Sequence, residues 1–337
     1  MKIAVSATAR ANERRRRPFE AISRGAGILI ASRRAFAVFL TFVIITPTAI
    51  GLLAPPVFAA ASTPPEPAAV RFVTWLPLLI GAGALAGFLA GLLGIGGGIV
   101  MTPVLFLVLG RLDVPAEWHM HMVVATSLAV IVPTGLTSAR AHWRRHSLDP
   151  AILRRWAPWI AVGALSGTLL ARHLTSETMG DIFGVVAALL GVKMLLPLDR
   201  LRLGDTLPER RIADIFPFSV GMLSSLMGIG GATFTVPWLT LFGIPIHRAV
   251  GTASAIGVMI ALIGVAGYVA GGSNLGIGTA VPWHLGFVHL PAALGIAPAA
   301  MLAAPWGARA AHALPHRALS AVFGVFLLLA AARIAAG

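Results

Sequence analysis

The chain has 337 residues, is 57% hydrophobic and 11% charged, and carries a net charge of +14 with no cysteine. Such a composition excludes a string of soluble domains, and the missing cysteines exclude thiol redox chemistry, iron–sulfur clusters, c-type haem attachment and thiolate metal sites. The Lys and Arg residues sit in short gaps between apolar runs, the positive-inside pattern of a polytopic membrane protein rather than a nucleic-acid-binding face.

Residues 1–35 form a basic arm holding nine of the 26 Lys and Arg, Arg14 to Arg17 among them. The arm is expected in the cytoplasm. An apolar run over 36–61 follows. It reads either as a signal peptide ending near Ala59-Ala60-Ala61 or as an uncleaved signal-anchor, an extra transmembrane helix, and its length favours the anchor. Ser32-Arg33-Arg34-Ala35-Phe36 also resembles a twin-arginine export signal. Residues 62–74, with Pro64, Pro65 and Pro67, read as a linker.

The rest of the chain reads as two copies of one unit, 75–197 and 212–337, joined by a basic cytoplasmic loop at 198–211. Gly87-Phe-Leu-Ala-Gly-Leu-Leu-Gly-Ile-Gly-Gly-Gly98 returns 134 residues later as Gly221-Met-Leu-Ser-Ser-Leu-Met-Gly-Ile-Gly-Gly-Ala232, and a proline follows each copy, Pro103 and Pro237. His121-Met-Val-Val-Ala-Thr126-Ser127 resembles His247-Arg-Ala-Val-Gly-Thr252-Ala-Ser254. Gly167 and Phe183-Gly184 match Gly307 and Phe323-Gly324 at a common offset of 140. The first copy predicts an interrupted segment (75–110) and helices near 119–142, 153–173 and 178–197. The second predicts an interrupted segment (212–244) and helices near 247–270, 287–312 and 316–336.

A helix over 75–110 would be about 54 Å long, far beyond a core of about 30 Å, so it cannot make one straight pass. If both interrupted segments are re-entrant and 36–58 crosses once, one side collects the arm, the 140–155 loop, the 193–211 loop, Arg248 and the 309–317 turn. The other side keeps Arg71, Arg111, Arg172 and Arg333, and 271–287 has no Lys or Arg. That distribution obeys the positive-inside rule. A single net crossing per interrupted segment places Arg248, Arg309 and Arg317 outside and fits less well. The expected fold is therefore an all-α polytopic membrane protein of two homologous halves. Each half is a re-entrant glycine-box helix pair plus three transmembrane helices. Three crossings per half make inverted repeats, the arrangement that alternating access uses.

At a helix break the amides that open the second half-helix lack intrahelical acceptors and carry the positive end of the dipole. Small residues let an anion reach them. Gly94, Gly96, Gly97 and Gly98, with Gly228, Gly230 and Gly231, are thus candidates for substrate binding. Gly83, Gly87 and Gly91 fit helix packing instead. Thr126, Ser127, Thr252 and Ser254 could donate to an oxyanion, although hydroxyls in membrane helices often bond their own i−4 carbonyl. His121, His247 and Arg248 are candidates for a gate or for anion attraction. An alternative takes His119-Met120-His121-Met122 as a soft-metal cluster and the chain as a transition-metal permease. No acid lies deep in an apolar run and no phosphate-binding Gly-x4-Gly-Lys-Ser/Thr loop is present, so neither an enzyme nor direct ATP coupling is expected, and no cofactor or resident metal.

The duplicated glycine box with its proline, the Ala-Thr126-Ser127 and Gly251-Thr252-Ala-Ser254 runs, and Ala-Pro-Trp-Gly307-Ala-Arg309 resemble the TauE/SafE family of sulfite and organosulfonate exporters. The resemblance covers about 75–336. It implies a multi-pass permease of the bacterial inner membrane that moves sulfite, a sulfonate or a related sulfur oxyanion, with lipid and a small anion as its partners. Two departures stand out: Ala232 replaces the third glycine of the second box, and the basic arm with its apolar segment lies outside the family core.

Overall fold

The computed structural model describes residues 68–93, 98–112, 114–196, 204, 207–208, 214–273, 281, 283–311 and 316–335. The arm at 1–35, the apolar run at 36–61 and most of the 198–211 loop lie outside the described residues. The helices are α1 (Ala68–Leu93), α2 (Gly98–Leu109), α3 (His119–Arg144), α4 (Pro150–Ala171), α5 (Ser176–Leu195), α6 (Ile215–Met227), α7 (Ala232–Leu241), α8 (Ile246–Gly272), α9 (Leu290–Ala311) and α10 (His316–Ala335). Five spans are long and apolar enough to cross a membrane: Thr74–Leu92, Ala116–Arg144, Ser176–Leu195, Ile246–Gly272 and Leu290–Ala310. The architecture is that of an all-α, multi-pass membrane protein.

Two boundaries differ from the sequence reading. Helix α1 already starts at Ala68, inside the stretch expected to be linker, just after the proline run ends at Pro67, and it continues through Pro77. Before α9, where helix was expected from 287, the chain forms a small antiparallel hairpin pairing His284 with His289 and Leu285 with Val288. Gly286 turns it with φ +57°.

Local chemistry sets the other ends. Asp149 caps α4, accepting from the Ala151 and Ile152 amides, with Pro150 at the first helical position. Thr175 caps α5 through the Thr178 amide. The second glycine box needs two left-handed residues: Gly228 (φ 70°) ends α6 and Gly231 (φ 72°) opens α7.

Facing residues give the directions of the helices. Added Cβ atoms on Gly83, Gly87 and Gly91 of α1 would strike the carbonyls of Ile296, Ala300 and Ala304 on α9, so α1 and α9 run parallel. Gly163 and Gly167 of α4 meet Phe218 and Met222 of α6, again parallel. Helix α3 runs antiparallel to α8, with Ser138 beside Ser254 and Gly264 beside Leu128. Helices α5 and α10 cross antiparallel, Gly191 on Gly324 and Gly180 on Ile334. The first helix of each half thus packs on the fourth helix of the other.

The short second helices pack against the long helices that follow them. Helix α2 descends beside α3, with Gly98 against Ile131, Thr102 against Ser127 and Phe106 against His119. Gly231 at the start of α7 lies against Ile256 and Ile260 of α8. One end of the bundle gathers His142, Ser147, Asp149, Arg248 and Gly251. The opposite end gathers Trp118, His121, Ala171 and Phe287. Between them lies a continuous core from Leu79 to Ile334.

Candidate functional site at the junction of the two helix breaks

The start of α2 meets the second helix break. A Cβ on Gly98, the first residue of α2, would lie 2.5 Å from the Gly230 amide nitrogen and 2.9 Å from the Ile229 Cα. Gly257 of α8 closes on the same point, its added Cβ 2.4 Å from the Gly230 carbonyl, and Ile131 of α3 packs on both Gly98 and Gly230. Glycine is required at 98 and 257, where any side chain would strike the Gly230 backbone. Gly94, Gly96 and Gly97 lie outside the described residues.

The carbonyl end of α6 is capped by the first half. The Thr102 hydroxyl donates to the Met227 carbonyl (2.9 Å) and the Ser127 hydroxyl to the Gly228 carbonyl (2.7 Å). The Gly228 and Ile229 amides bond the Ser224 carbonyl. The first bonds inside α7 come from the Phe234 and Thr235 amides to the Gly231 carbonyl. The amides at 231–233 therefore open the helix ahead of its own ladder and face the junction with the positive end of the dipole. Around them the Ser224, Thr233 and Thr235 hydroxyls are buried without a hydrogen-bond partner. Among the described residues no Asp, Glu, Lys or Arg is buried, so the junction is polar and uncharged.

The hydroxyls singled out from the sequence have partners of their own. Ser127 caps α6 as described. Thr126 accepts from the His289 amide (3.0 Å) and Thr252 from the Asp149 amide (2.9 Å). Ser254 donates to its own i−4 carbonyl, on Val250, and lies 3.1 Å from Ser138. Matching positions thus perform matching tasks, since His289 caps α9 through Nδ1 (Ala292 amide, 3.1 Å) as Asp149 caps α4. Ser224, Thr233, Thr235 and Thr102 were missed. The available signal was position: Ser224, Thr233 and Thr235 flank the second glycine box, and Thr102 follows the first.

His121 and His247 occupy opposite ends and different environments. His121 is buried, bonded through Nε2 to the Ala171 carbonyl (3.0 Å) and stacked on Phe287 at 5.0 Å. His247 is exposed, and Arg248 beside it pairs with Asp149 at 2.8 Å. The His119–Met122 stretch diverges: His119 faces Phe106, His121 faces Phe287, and Met120 and Met122 enter the core. Among the described residues no three His, Cys, Asp or Glu side chains gather into a metal-holding group. The metal alternative gains no support. In the hairpin before α9, burial and then the nearby His284 hold the His289 imidazole down at about 4. Its Nδ1 stays free to accept the cap.

Comparison with known proteins gives the same picture. Residues 79–334 match the family described as sulfite exporter TauE/SafE. A "Probable membrane transporter protein" of Haemophilus influenzae is 35% identical over 260 residues, covering 77% of this chain and 97% of that protein. "Probable membrane transporter protein YunE" of Bacillus subtilis is 24% identical over 271 residues, 75% of this chain and 94% of that one. A similarly named protein of Methanocaldococcus jannaschii is 25% identical over 231 residues, 66% and 82%. No solved structure matches. With the family covering both glycine boxes and every helix between them, this multi-pass membrane protein belongs to the sulfite exporter TauE/SafE family.

Proposed function

We propose that the chain is a secondary transporter of the bacterial inner membrane that carries a small anion, sulfite, a sulfonate or a related sulfur oxyanion. Transport occurs by alternating access between two inverted repeats. The observation that carries this reading is the contact of the start of α2 at Gly98 with the second helix break at Gly230, where amides at the start of α7 face an uncharged polar junction. Helix N-termini of this kind bind anions without a buried cation.

The exchange of packing partners supports the inverted repeat. Gly87 meets Ala300 and Gly221 meets Ile160, so residues related by offsets of 134 and 140 make the same contact with the halves interchanged. Antiparallel pairing of α3 with α8 and of α5 with α10 fits a two-fold axis in the membrane plane. Arg144, Arg145, Arg154, Arg155 and Arg248 sit at the end of the bundle that would face the cytoplasm. The substrate class comes from the family description and from the site's preference for negative charge. Among the described residues no Asp, Glu, Lys or Arg is buried, which favours a carrier over an enzyme.

Flux of sulfite and of an alkyl sulfonate into proteoliposomes tests the reading. A Cβ at Gly230 meets only Ile131 at 3.4 Å and Gly257 at 3.8 Å, so Gly230→Val should fold and still obstruct the junction. Loss of flux with retained monodispersity is expected; undiminished flux would refute the site.

A further inference from the structure

We infer that the binding site is one-sided. It is built on the α6–α7 break by Ser224, Thr233, Thr235 and the amides opening α7, and it takes a singly charged oxyanion in preference to a dianion. The inference rests on the carrier reading and adds to it the residues and the charge state.

Three observations carry it. Ser224 (0% exposed), Thr233 (5%) and Thr235 (0%) all flank one break, and none of their hydroxyls has a partner. The Ser224 Oγ lies 3.6 Å from where a Cβ on Gly231 would sit, so it is directed at the first residue of the α7 opening. An unpaired buried hydroxyl is destabilising, and Ser224, Thr233 and Thr235 leave three such donors around one helix start.

In the other half, the offset of 134 puts Ala90, Ile99 and Met101 at these positions, none able to donate. The first half's own hydroxyls at the junction, Thr102 and Ser127, already bond the Met227 and Gly228 carbonyls. A scaffold with matched halves thus holds an unmatched polar site.

The charge state follows from the donors. With no buried Lys or Arg among the described residues, a guest's charge is met by dipoles alone. Each helix N-terminus contributes about half an elementary charge, so the α7 opening, even with the start of α2 beside it at Gly98, offsets no more than about one. A second negative charge would remain uncompensated in a dehydrated interior. Hydroxyls and amides suit the three oxygens of R–SO3− or of bisulfite; sulfate carries one charge too many.

Thermal stabilisation of the purified full-length protein by methanesulfonate and by sulfate, at matched ionic strength, tests both parts. Methanesulfonate should stabilise and sulfate should not. Ser224→Ala, Thr233→Val and Thr235→Val should each weaken methanesulfonate binding about tenfold, the worth of a hydrogen bond to a charged group. The same variants should leave the empty protein as stable as before or more so, because an orphan hydroxyl is gone. A merely structural role would lower the stability of the empty protein and spare the ligand shift. Thr240→Val is the control, its hydroxyl being bonded to the Val236 carbonyl, and should bind like wild type.

Equal stabilisation by sulfate overturns the charge preference. Unchanged binding in Ser224→Ala and Thr235→Val overturns the one-sided site, and if Gly230→Val still abolishes flux the carrier reading survives that loss. If wild type neither binds nor moves any of these anions, both fall.

Discussion

Thr126 and Thr252 show what a single hydroxyl does in this bundle. Each accepts the amide of a residue that caps a helix of the opposite half, His289 and Asp149 respectively. Thr126→Val should cost about 1–3 kcal/mol, because it strands a buried donor, while Thr126→Ser should restore most of it; thermal unfolding in detergent checks both. His289 brings a pH dependence. Its folded value of about 4 lies below the ordinary 6.5, so the unfolded chain takes up the proton first. The associated stability is fully present above about pH 6.5 and is lost as pH falls toward 4. His289→Asn keeps a cap without titrating and should flatten that part of the profile. The sequence pointed to Thr126, Ser127, Thr252 and Ser254 because they recur. It could not reveal their partners, since Thr126 and His289 are 163 positions apart. Ser224, Thr233 and Thr235 escaped for the converse reason: they have no counterpart in the first half, so a search for matched residues passes over them.

At the level of elements, glycines separate packing faces from lipid faces. A side chain on Gly87 would meet the Ala300 backbone at 2.2 Å, whereas Gly81, on the same helix, has nothing within 4 Å. Gly87→Val should therefore lower the unfolding midpoint by an amount equivalent to roughly 1–3 kcal/mol, the cost of overpacking, and Gly81→Val should be near neutral. Most helix limits were legible to within a few residues, because apolar runs bounded by Pro, Gly and Arg leave few choices. The hairpin at 284–289 was not, since its strands are two residues long and their pairing depends on Phe287 bonding the Tyr268 carbonyl at the end of α8.

For the whole molecule, the glycine boxes and the offsets of 134 and 140 are legible in the sequence and motivate the proposed repeat. The exchange of helices was not readable, because which face of α1 meets which neighbour depends on packing across more than two hundred residues. The proposed inversion predicts that Ala151 and His173, exposed at opposite ends of α4, lie on opposite sides of the membrane. The sequence contains no cysteine, so Ala151→Cys and His173→Cys each offer one thiol to an impermeant reagent. Labelling of both from the same side would sink the topology.

The pairing of α1 with α9 also has a consequence for how the protein is made. Gly87 and its neighbour Ala300 leave the ribosome about 210 residues apart, which at ordinary elongation rates is roughly 10–40 s. During that interval the stripe of Gly83, Gly87 and Gly91 lacks the α9 backbone that covers it, and nascent polypeptides stalled before Leu290 should be degraded far faster than those released after Ala311.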